Sequence, residues 1–297
     1  MASVNISVAN PIISVIIPCY NHGMFIEEAL KSIEESERKD YEIIIIDDGS
    51  TDSETISKLE HLKSKGYQII SQMNMGAMSA RNNGIRNSRG KYILPLDADN
   101  MIMPQMISKT IKILESDPSV SIVYSDRKMF GIINEINKVG PFILSEMLLG
   151  NYIDACAVYR KEVWEKTGGY DENMQMQGWE DWDFWLSAFS NGYIFEYISE
   201  VLFQYRVSEE SAITRLMDSP RLSEVKAYLF KKHSCLLYQE YVEINRLLYE
   251  CKKKLSEFEF NEQNLIRSSI KYFYKWIHYC LVKVLRKPNN KSGFIKL

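Results

Sequence analysis

The first 116 residues alternate short apolar runs, rich in β-branched side chains, with segments of helical periodicity. The predicted strands lie at 12–19, 41–46, 67–71 and 91–96, and the predicted helices at 24–36, 53–65, 76–87 and 104–116. Strands that alternate with helices of this length predict right-handed crossovers and a mostly parallel sheet. Strands that are apolar throughout agree with this, because such sheets are covered by helices on both faces.

Beyond residue 120 the alternation weakens, and the pattern becomes helical from residue 221. Further strands are predicted at 122–125, 154–159, 195–199 and 203–207, with a helix at 180–190. We therefore predict an α/β domain over residues 1–215. A helical extension is predicted over residues 216–297.

The charge is distributed unevenly along the chain. Residues 263–297 carry eight basic and no acidic side chains, whereas the rest has a net charge of −11. An acidic body repels phosphate backbones, so a nucleic-acid partner is excluded. The segment 270–287 has apolar residues on one helical side and basic residues on the other. This pattern is typical of a helix on an anionic membrane surface, and equally of a helix packed on protein with a solvated basic edge.

The five cysteines are odd in number and widely spaced, without a Cys-x-x-Cys pair. That usage predicts a reducing compartment rather than a disulfide framework or a zinc site. The first apolar run is far shorter than the ~20 residues needed to cross a bilayer, and no basic segment precedes it. We therefore expect a cytoplasmic protein, whose membrane contact through 263–297 would be peripheral.

Polar clusters follow three of the predicted strands, at 20–23, 47–52 and 97–100. The carboxyl ends of parallel strands share one edge, where open α/β sheets bind ligands. Asp97 and Asp99 are the hard oxygen ligands that Mg²⁺ or Mn²⁺ takes, although acids are also common in solvated turns.

The cluster at 47–52 (DDGSTD) supports two interpretations. The Asp48 carboxylate is a suitable acceptor for a ribose hydroxyl or for the N–H of a base. Helix capping by Ser50, Asp52 or Ser53 is the alternative.

Two further features occur on predicted helices. Arg81 lies early in a helix that follows a strand, where an anion is favoured; an exposed helical arginine is the alternative. The segment 178–185 (GWEDWDFW) holds three acids and three tryptophans. A carboxylate beside an aromatic surface suits a sugar site, whereas acids at a helix start and tryptophans in the core are the structural alternative.

Six motifs together resemble glycosyltransferase family 2, in the order and spacing of that family. They are VIIPCYN at 15–21, IIIIDDGSTD at 43–52, GAMSARNNGI at 76–85, YILPLDADN at 92–100, GGYDE at 168–172 and GWEDWDFW at 178–185. The resemblance covers about residues 12–210. It implies the GT-A fold and transfer of a sugar from a nucleotide donor with inversion at the anomeric carbon.

The resemblance also implies donor-binding roles. Pro18 and Tyr20 would line the nucleotide pocket, and Asp48 would bond the base. Arg81 would help hold the nucleotide, and Asp97 would contact the ribose or the sugar.

For the reaction itself, the resemblance implies that Asp99 ligates the Mn²⁺ or Mg²⁺ that bridges the diphosphate. Asp181 would be the general base, and Glu180 and Trp179 would bind the acceptor. Arg206 would close over the phosphates. Many relatives have a histidine two or three residues beyond that arginine, whereas this chain has Val-Ser-Glu-Glu at 207–210.

The sequence thus predicts a metal-dependent inverting glycosyltransferase, with a UDP-sugar as the donor expected from the family. The acceptor expected is a surface glycan or a lipid-linked saccharide. A sugar-1-phosphate nucleotidyltransferase is one alternative, but residues 20–23 lack the glycine-rich basic loop that it needs after the first strand. A catalytically silent sugar-binding module is the other alternative. Such a module could have lost Asp99 or Asp181, whereas this chain retains both acids.

Overall fold

The structure, a computed structural model, describes residues 9–174, 178–208 and 221–261. Within these ranges, strands β1 to β9 lie at Ile13–Cys19, Tyr41–Asp47, Gln68–Ser71, Tyr92–Pro95, Met101–Ile102, Val120–Gly131, Glu135–Asn137, Val158–Arg160 and Ile194–Val207. Helices α1 to α9 lie at Gly23–Glu34, Ser53–Ser64, Gly76–Arg86, Met106–Ser116, Leu144–Leu149, Lys161–Thr167, Glu180–Ser190, Arg221–Lys232 and Ser234–Asn261. The strands form one sheet in the order β3-β2-β1-β4-β8-β6-β9-β5, and β7 pairs with β6.

The predicted strand–helix alternation is confirmed in the first half of the sheet. β1 pairs in parallel with β2 and β4, and β2 pairs in parallel with β3. Their apolar side chains, such as Ile17, Ile45 and Leu94, are fully buried, as expected for strands covered on both faces. At the start of α2, the Asp52 carboxylate accepts a hydrogen bond from the Thr55 N–H at 2.8 Å, so helix capping operates in this loop.

The second half of the sheet is mixed rather than parallel. β8 pairs antiparallel with both β4 and β6, whereas β6 pairs in parallel with β9. The strand predicted at 154–159 is reduced to Val158–Arg160, because the Asp154 carboxylate accepts a hydrogen bond from the Cys156 N–H and forms a turn instead.

The strands predicted at 195–199 and 203–207 are one strand, β9. The exposed residues Ser199 and Glu200 interrupt its apolar pattern, but β9 continues past them, with register shifts opposite Ser125 and Asp126.

Two features of the fold position the candidate site. β1, β2 and β4 end at one edge, which brings the polar clusters after these strands together. Helix α7 is anchored in the core by Trp182 and Trp185, which are fully buried. Their indole N–H groups donate to backbone oxygens of Met147 and Ile153. Trp182 and Trp185 are therefore core residues, which is the alternative to a sugar-binding role that the sequence left open for them.

The chain divides into two compact units, residues 1–234 and 235–297. Helix α8 belongs to the first unit, and α9 begins at the division. The boundary predicted near residue 215 and the basic segment 263–297 lie outside the described residues. Across the part that is described, none of the helices combines the length and the apolar character that crossing a bilayer requires.

Candidate active site

The Asp48 carboxylate, 3% exposed, is almost saturated with hydrogen bonds. Its Oδ1 accepts from Gln72 Nε2 at 2.8 Å and from the Met75 N–H at 2.9 Å, and its Oδ2 accepts from the Gly76 N–H at 2.8 Å. A carboxylate offers about four lone-pair positions, so about one remains for a ligand. Asp48 therefore holds the loop between β3 and α3 against the end of β2.

Pro18 and Tyr20 lie at the end of β1. Pro18 is half-buried, and the Tyr20 side chain is 43% exposed. The next residue, Asn21, has a φ of 55°, and its Oδ1 accepts hydrogen bonds from the N–H groups of Thr51 and Asp52. The loops after β1 and β2 are thus joined beside the exposed Tyr20 ring.

Arg81 joins the end of β4 to the first turn of α7. Its Nη2 donates to Asp97 Oδ1 at 2.6 Å, and its Nη1 donates to Glu180 Oε1 at 2.5 Å. The side chain is 4% exposed, so the alternative interpretation of Arg81 as an exposed helical arginine is wrong. Its guanidinium also lies over the Tyr170 ring, 5.6 Å from the centroid. Burial opposes the charge, but Asp97 and Glu180 outweigh it and raise the Arg81 pKa.

Three acids open helix α7, and their environments differ. Glu180 pairs with Arg81. Asp183 accepts hydrogen bonds from Lys232 Nζ and from His233 Nε2, each at 2.8 Å. Asp181 accepts a hydrogen bond from the Trp182 N–H at 2.9 Å and forms no ion pair within the described ranges. Among the residues that the structure describes, it is thus the one acid of this turn whose carboxylate pairs with no cation.

The environment of Asp181 raises its pKa well above the ordinary value of an aspartate. Burial is the main cause, and the charges of Glu180 and Asp154 add to it, while Arg81 opposes them. The anion of a carboxyl group with a raised pKa is a stronger base than the anion of an ordinary aspartate. This site can therefore take a proton from a hydroxyl.

Asp99 lies in the turn after β4 and is half-buried. Burial and the nearby charge of Asp97 raise its pKa to about 6. Its carboxylate accepts no hydrogen bond from another residue in the described ranges, which also contain no group of three metal-binding side chains. Mg²⁺ and Mn²⁺ suit one or two carboxylates and take further ligands from phosphates and water. The oxygens of Asp99 and Asp97 fit such an ion.

Arg206, near the end of β9, packs against the turn that holds Asp99. Its backbone N–H donates to Asn100 Oδ1 at 2.9 Å, and its Nε donates to the Asp99 carbonyl at 3.1 Å. The guanidinium lies over the rings of Phe25 and Phe130, with centroid distances of 4.3 and 4.5 Å. The structure thus brings Arg206 to the predicted metal ligand, although about a hundred residues separate them.

Trp179 differs from the other two tryptophans of its motif. It is half-buried, and its ring lies 5.8 Å from that of Trp182. Its indole N–H is buried and has no hydrogen-bond partner in the part of the chain that the structure describes. Trp179 therefore leaves a donor unused at the start of α7.

Sequence reasoning missed Asp154, Lys232 and His233. Asp154 pairs with Arg127 at 3.2 Å, and its charge reaches Asp181. An acid inside the apolar run IDACAVY was a signal that could have found Asp154. Nothing local marks Lys232 and His233, because they meet α7 only through the fold.

The family model described as Glycosyl transferase family 2 matches residues 14–168, just over half of the chain. The chain is 25% identical over 249 residues to an uncharacterized glycosyltransferase of Methanocaldococcus jannaschii. The alignment covers 76% of this chain and 82% of that protein. It is 28% identical over 225 residues to a chondroitin synthase of Escherichia coli, covering 73% of this chain and 32% of that one. The chain thus spans about a third of the second relative.

Two solved structures share the fold. S. aureus TarS in complex with UDP-GlcNAc aligns with a TM-score of 0.60 at 18% identity, covering 76% of this chain and 71% of that one. The mannosyltransferase PcManGT from Pyrobaculum calidifontis, in complex with GDP-Man and Mn²⁺, aligns with a TM-score of 0.52 at 17% identity, covering 94% and 88%. The α/β class and the GT-A arrangement expected from the sequence are confirmed.

Proposed function

This chain belongs to glycosyl transferase family 2, and on that premise we propose that it is an inverting enzyme. It transfers a sugar from a nucleotide-diphosphate donor to a hydroxyl of a glycan or a lipid-linked saccharide in surface polysaccharide synthesis. The supporting observation is Asp181: among the described residues no cation pairs with this acid at the start of α7, whereas Arg81 and Lys232 pair with its neighbours. Its carboxylate is free to take the acceptor's proton.

The donor binds at the shared edge of β1, β2 and β4. Pro18 and the exposed Tyr20 ring line the base, and the remaining lone pair of Asp48 accepts the N–H of that base. Arg81 keeps Asp97 in place beside the ribose or the sugar, and Arg206 lies on the phosphate side. We propose a UDP-sugar carrying a hexose or an N-acetylhexosamine; the TarS complex with UDP-GlcNAc supports this donor class, and the GDP-Man complex keeps a guanine nucleotide in the panel to be tested.

Asp99, with Asp97 beside it, would hold a Mn²⁺ or Mg²⁺ ion. Such an ion offsets the negative charge that develops on a leaving diphosphate. The protein then needs no acid of its own at the leaving group.

In the transfer step, the Asp181 carboxylate removes the proton of the acceptor hydroxyl as its oxygen attacks the anomeric carbon. A new bond forms between that oxygen and the anomeric carbon, and the bond from this carbon to the diphosphate oxygen breaks on the opposite face. The geometry proposed for this step resembles that of an inverting glycosidase, with the acceptor hydroxyl in place of water. Glu180, fixed by Arg81, orients the acceptor, and Trp179 stacks against its ring.

The test is Asp181→Asn, which keeps the shape of the side chain and removes its basicity. We expect kcat to fall ~10²- to 10⁴-fold, the usual contribution of a general base, while donor affinity stays unchanged. Transfer from a panel of nucleotide sugars measures the first, and calorimetric donor binding the second. Glu165→Gln, an exposed acid on α6, is the matched control.

Two outcomes would contradict these roles. Near-normal turnover of Asp181→Asn with an inactive Glu180→Gln reverses the two acids. Normal transfer by both variants means that the reaction takes place elsewhere. Release of pyrophosphate from a nucleoside triphosphate and a sugar 1-phosphate, without transfer, would favour the nucleotidyltransferase instead.

We further propose that the enzyme is cytoplasmic and that residues 263–297 bring it to an anionic membrane surface or a partner protein. Replacing Lys283, Arg286 and Lys287 by Gln in the full chain should abolish sedimentation with anionic liposomes and leave turnover unchanged. Salt at 1 M should likewise abolish the sedimentation of the unaltered protein with these liposomes, because the Debye length falls to ~3 Å. The control replaces the exposed Lys63, Lys65 and Lys112 by Gln. Failure of the unaltered protein to sediment at low salt would reject the membrane and leave the partner protein.

A further inference from the structure

Lys232, the last residue of helix α8, and His233, which follows it, both bind Asp183 of helix α7, two residues after Asp181. Asp183 is 1% exposed, and its two carboxylate oxygens accept hydrogen bonds from Lys232 Nζ and His233 Nε2. His233 itself is 7% exposed. A buried carboxylate with a cation on one oxygen and a ring N–H on the other has little freedom to move.

Lys232 also reaches a second segment of the site. Its Nζ donates to Asp171 Oδ2, which accepts a further hydrogen bond from the Tyr228 hydroxyl at 2.6 Å. Asp171 directly follows Tyr170, whose ring lies under the Arg81 guanidinium. One lysine therefore ties α7 to the loop that supports Arg81.

These contacts matter electrostatically, because a negative charge near Asp181 favours the protonated form of its carboxyl group. Asp181 faces Glu180, Asp154, Arg81 and Tyr170. Arg81 balances Glu180 on that side.

Asp183 faces Lys232, His233 and Tyr228. Lys232 balances its charge. The partial burial of Lys232 opposes its own charge, but its two carboxylate partners outweigh this and raise the Lys232 pKa. Without that cation, the charge of Asp183 would act on Asp181 unopposed.

We propose that Lys232 and His233 are positioning residues for the transfer reaction: they fix Asp183 and so the turn that presents Asp181, and Lys232 cancels the charge of Asp183. This inference rests on the proposed role of Asp181 as the base. It makes α8 part of the catalytic apparatus, although the sequence assigns it to an extension.

The decisive variant is Lys232→Met in the full-length protein. We expect kcat to fall roughly 10- to 100-fold, as for a small misplacement of a catalytic group, with an unchanged KM for the donor. The acid limb of the kcat–pH profile should move up by about one pH unit, the order of effect expected from one uncompensated unit charge at an effective dielectric constant of ~20. Lys232→Arg should restore both properties.

The double variant Asp183→Asn/Lys232→Met removes both charges of the pair. The acid limb should therefore return to its original pH even though the hydrogen bonds are lost. His233→Leu should lower kcat, and His233→Gln, which keeps an N–H donor, should recover part of it. Lys231→Met, an exposed neighbour, is the matched control and should leave kcat and its pH profile unchanged.

The proposal is overturned if Lys232→Met lowers the melting temperature but leaves the acid limb where it is. It is also overturned if Lys231→Met moves the acid limb of the kcat–pH profile as far as Lys232→Met does. Asp181→Asn, measured in the same assay, separates the two levels of inference. If that variant is active, the base is misassigned; if it is inactive and the limb of Lys232→Met does not move, the positioning role alone fails.

Discussion

Asp48 and Asp99 lie at the same edge of the sheet, each in the polar cluster that follows a parallel strand. The sequence allows either of them to bind a ligand or to form a turn. In the structure, three donors surround the Asp48 carboxylate. No residue in the described ranges donates to the side chain of Asp99, and burial with Asp97 nearby raises its pKa to about 6. A carboxylate with most of its lone pairs occupied mainly shapes the protein, whereas one that is partly buried and accepts no hydrogen bond from another described residue gains most from an incoming cation.

The difference arises from what each loop offers. Asp48 faces the start of α3, where the N–H groups of Met75 and Gly76 have no partner inside the helix and turn to the carboxylate. Asp99 faces Arg206, but the Nε of that arginine donates to the Asp99 carbonyl rather than to its carboxylate. Two aspartates at similar positions therefore differ in how many lone-pair positions of their carboxylates remain available to a ligand.

Among the variants that test the difference between Asp48 and Asp99, we expect the largest effect from Asp99→Ala, which should lose sugar transfer. We expect a fall of roughly 10³-fold or more, because a catalytic metal supplies several kcal/mol of transition-state stabilisation. Chelation should have the same effect on the unaltered protein, and Mn²⁺ should restore it there but not in the variant. The control is Asp117→Ala, an exposed acid in another turn. Undiminished transfer after chelation would break the comparison.

Asp48→Ala should lower the stability of the fold in addition to removing the acceptor for the donor's base. Two backbone N–H groups and the Gln72 amide would lose their acceptor, and we expect the free energy of unfolding to fall by about 2–4 kcal/mol. Denaturant unfolding in the absence of metal measures it. Asp99→Ala is the matched variant and should lose no such stability, since its carboxylate accepts no hydrogen bond from another described residue. Equal losses in the two variants would remove the distinction.

The smallest expected effect concerns Asp171, a carboxylate whose donors include a cation. Burial opposes its charge, but Lys232, Tyr228 and Asn173 outweigh burial and lower the Asp171 pKa to about 2. A pKa lower in the folded than in the unfolded state stabilises the fold above about pH 4, and this contribution is lost as the pH falls toward 2. Asp171→Asn should cost about 1–2 kcal/mol at pH 7.

That cost should shrink between pH 5 and pH 2, which urea unfolding at several pH values would reveal. Glu165→Asn is a suitable control, because Glu165 is an exposed acid without these donors. A cost that is independent of pH would mean that Asp171 stabilises by packing rather than by its charge.

Most of the first half of the fold could be predicted from the sequence, since β1 to β4 and α1 to α4 follow from local periodicity. The second half could not. β8 is short because the Asp154 side chain captures the Cys156 N–H, and β9 is continuous because pairing with β6 overrides two exposed residues in its middle. Tertiary pairing of this kind leaves no periodic signal.

The sequence by itself determined which residue types gather at the edge, because the carboxyl ends of parallel strands must meet there. The residue pattern could not decide which of Glu180, Asp181 and Asp183 is free to react, and the family resemblance indicated Asp181 without a physical reason. The helix dipole and the local pattern treat acids in one turn alike. Only the fold separates them, since their cations, Arg81 and Lys232, come from elements about 100 and 50 residues away in the chain, and such pairings exist only once the elements have packed.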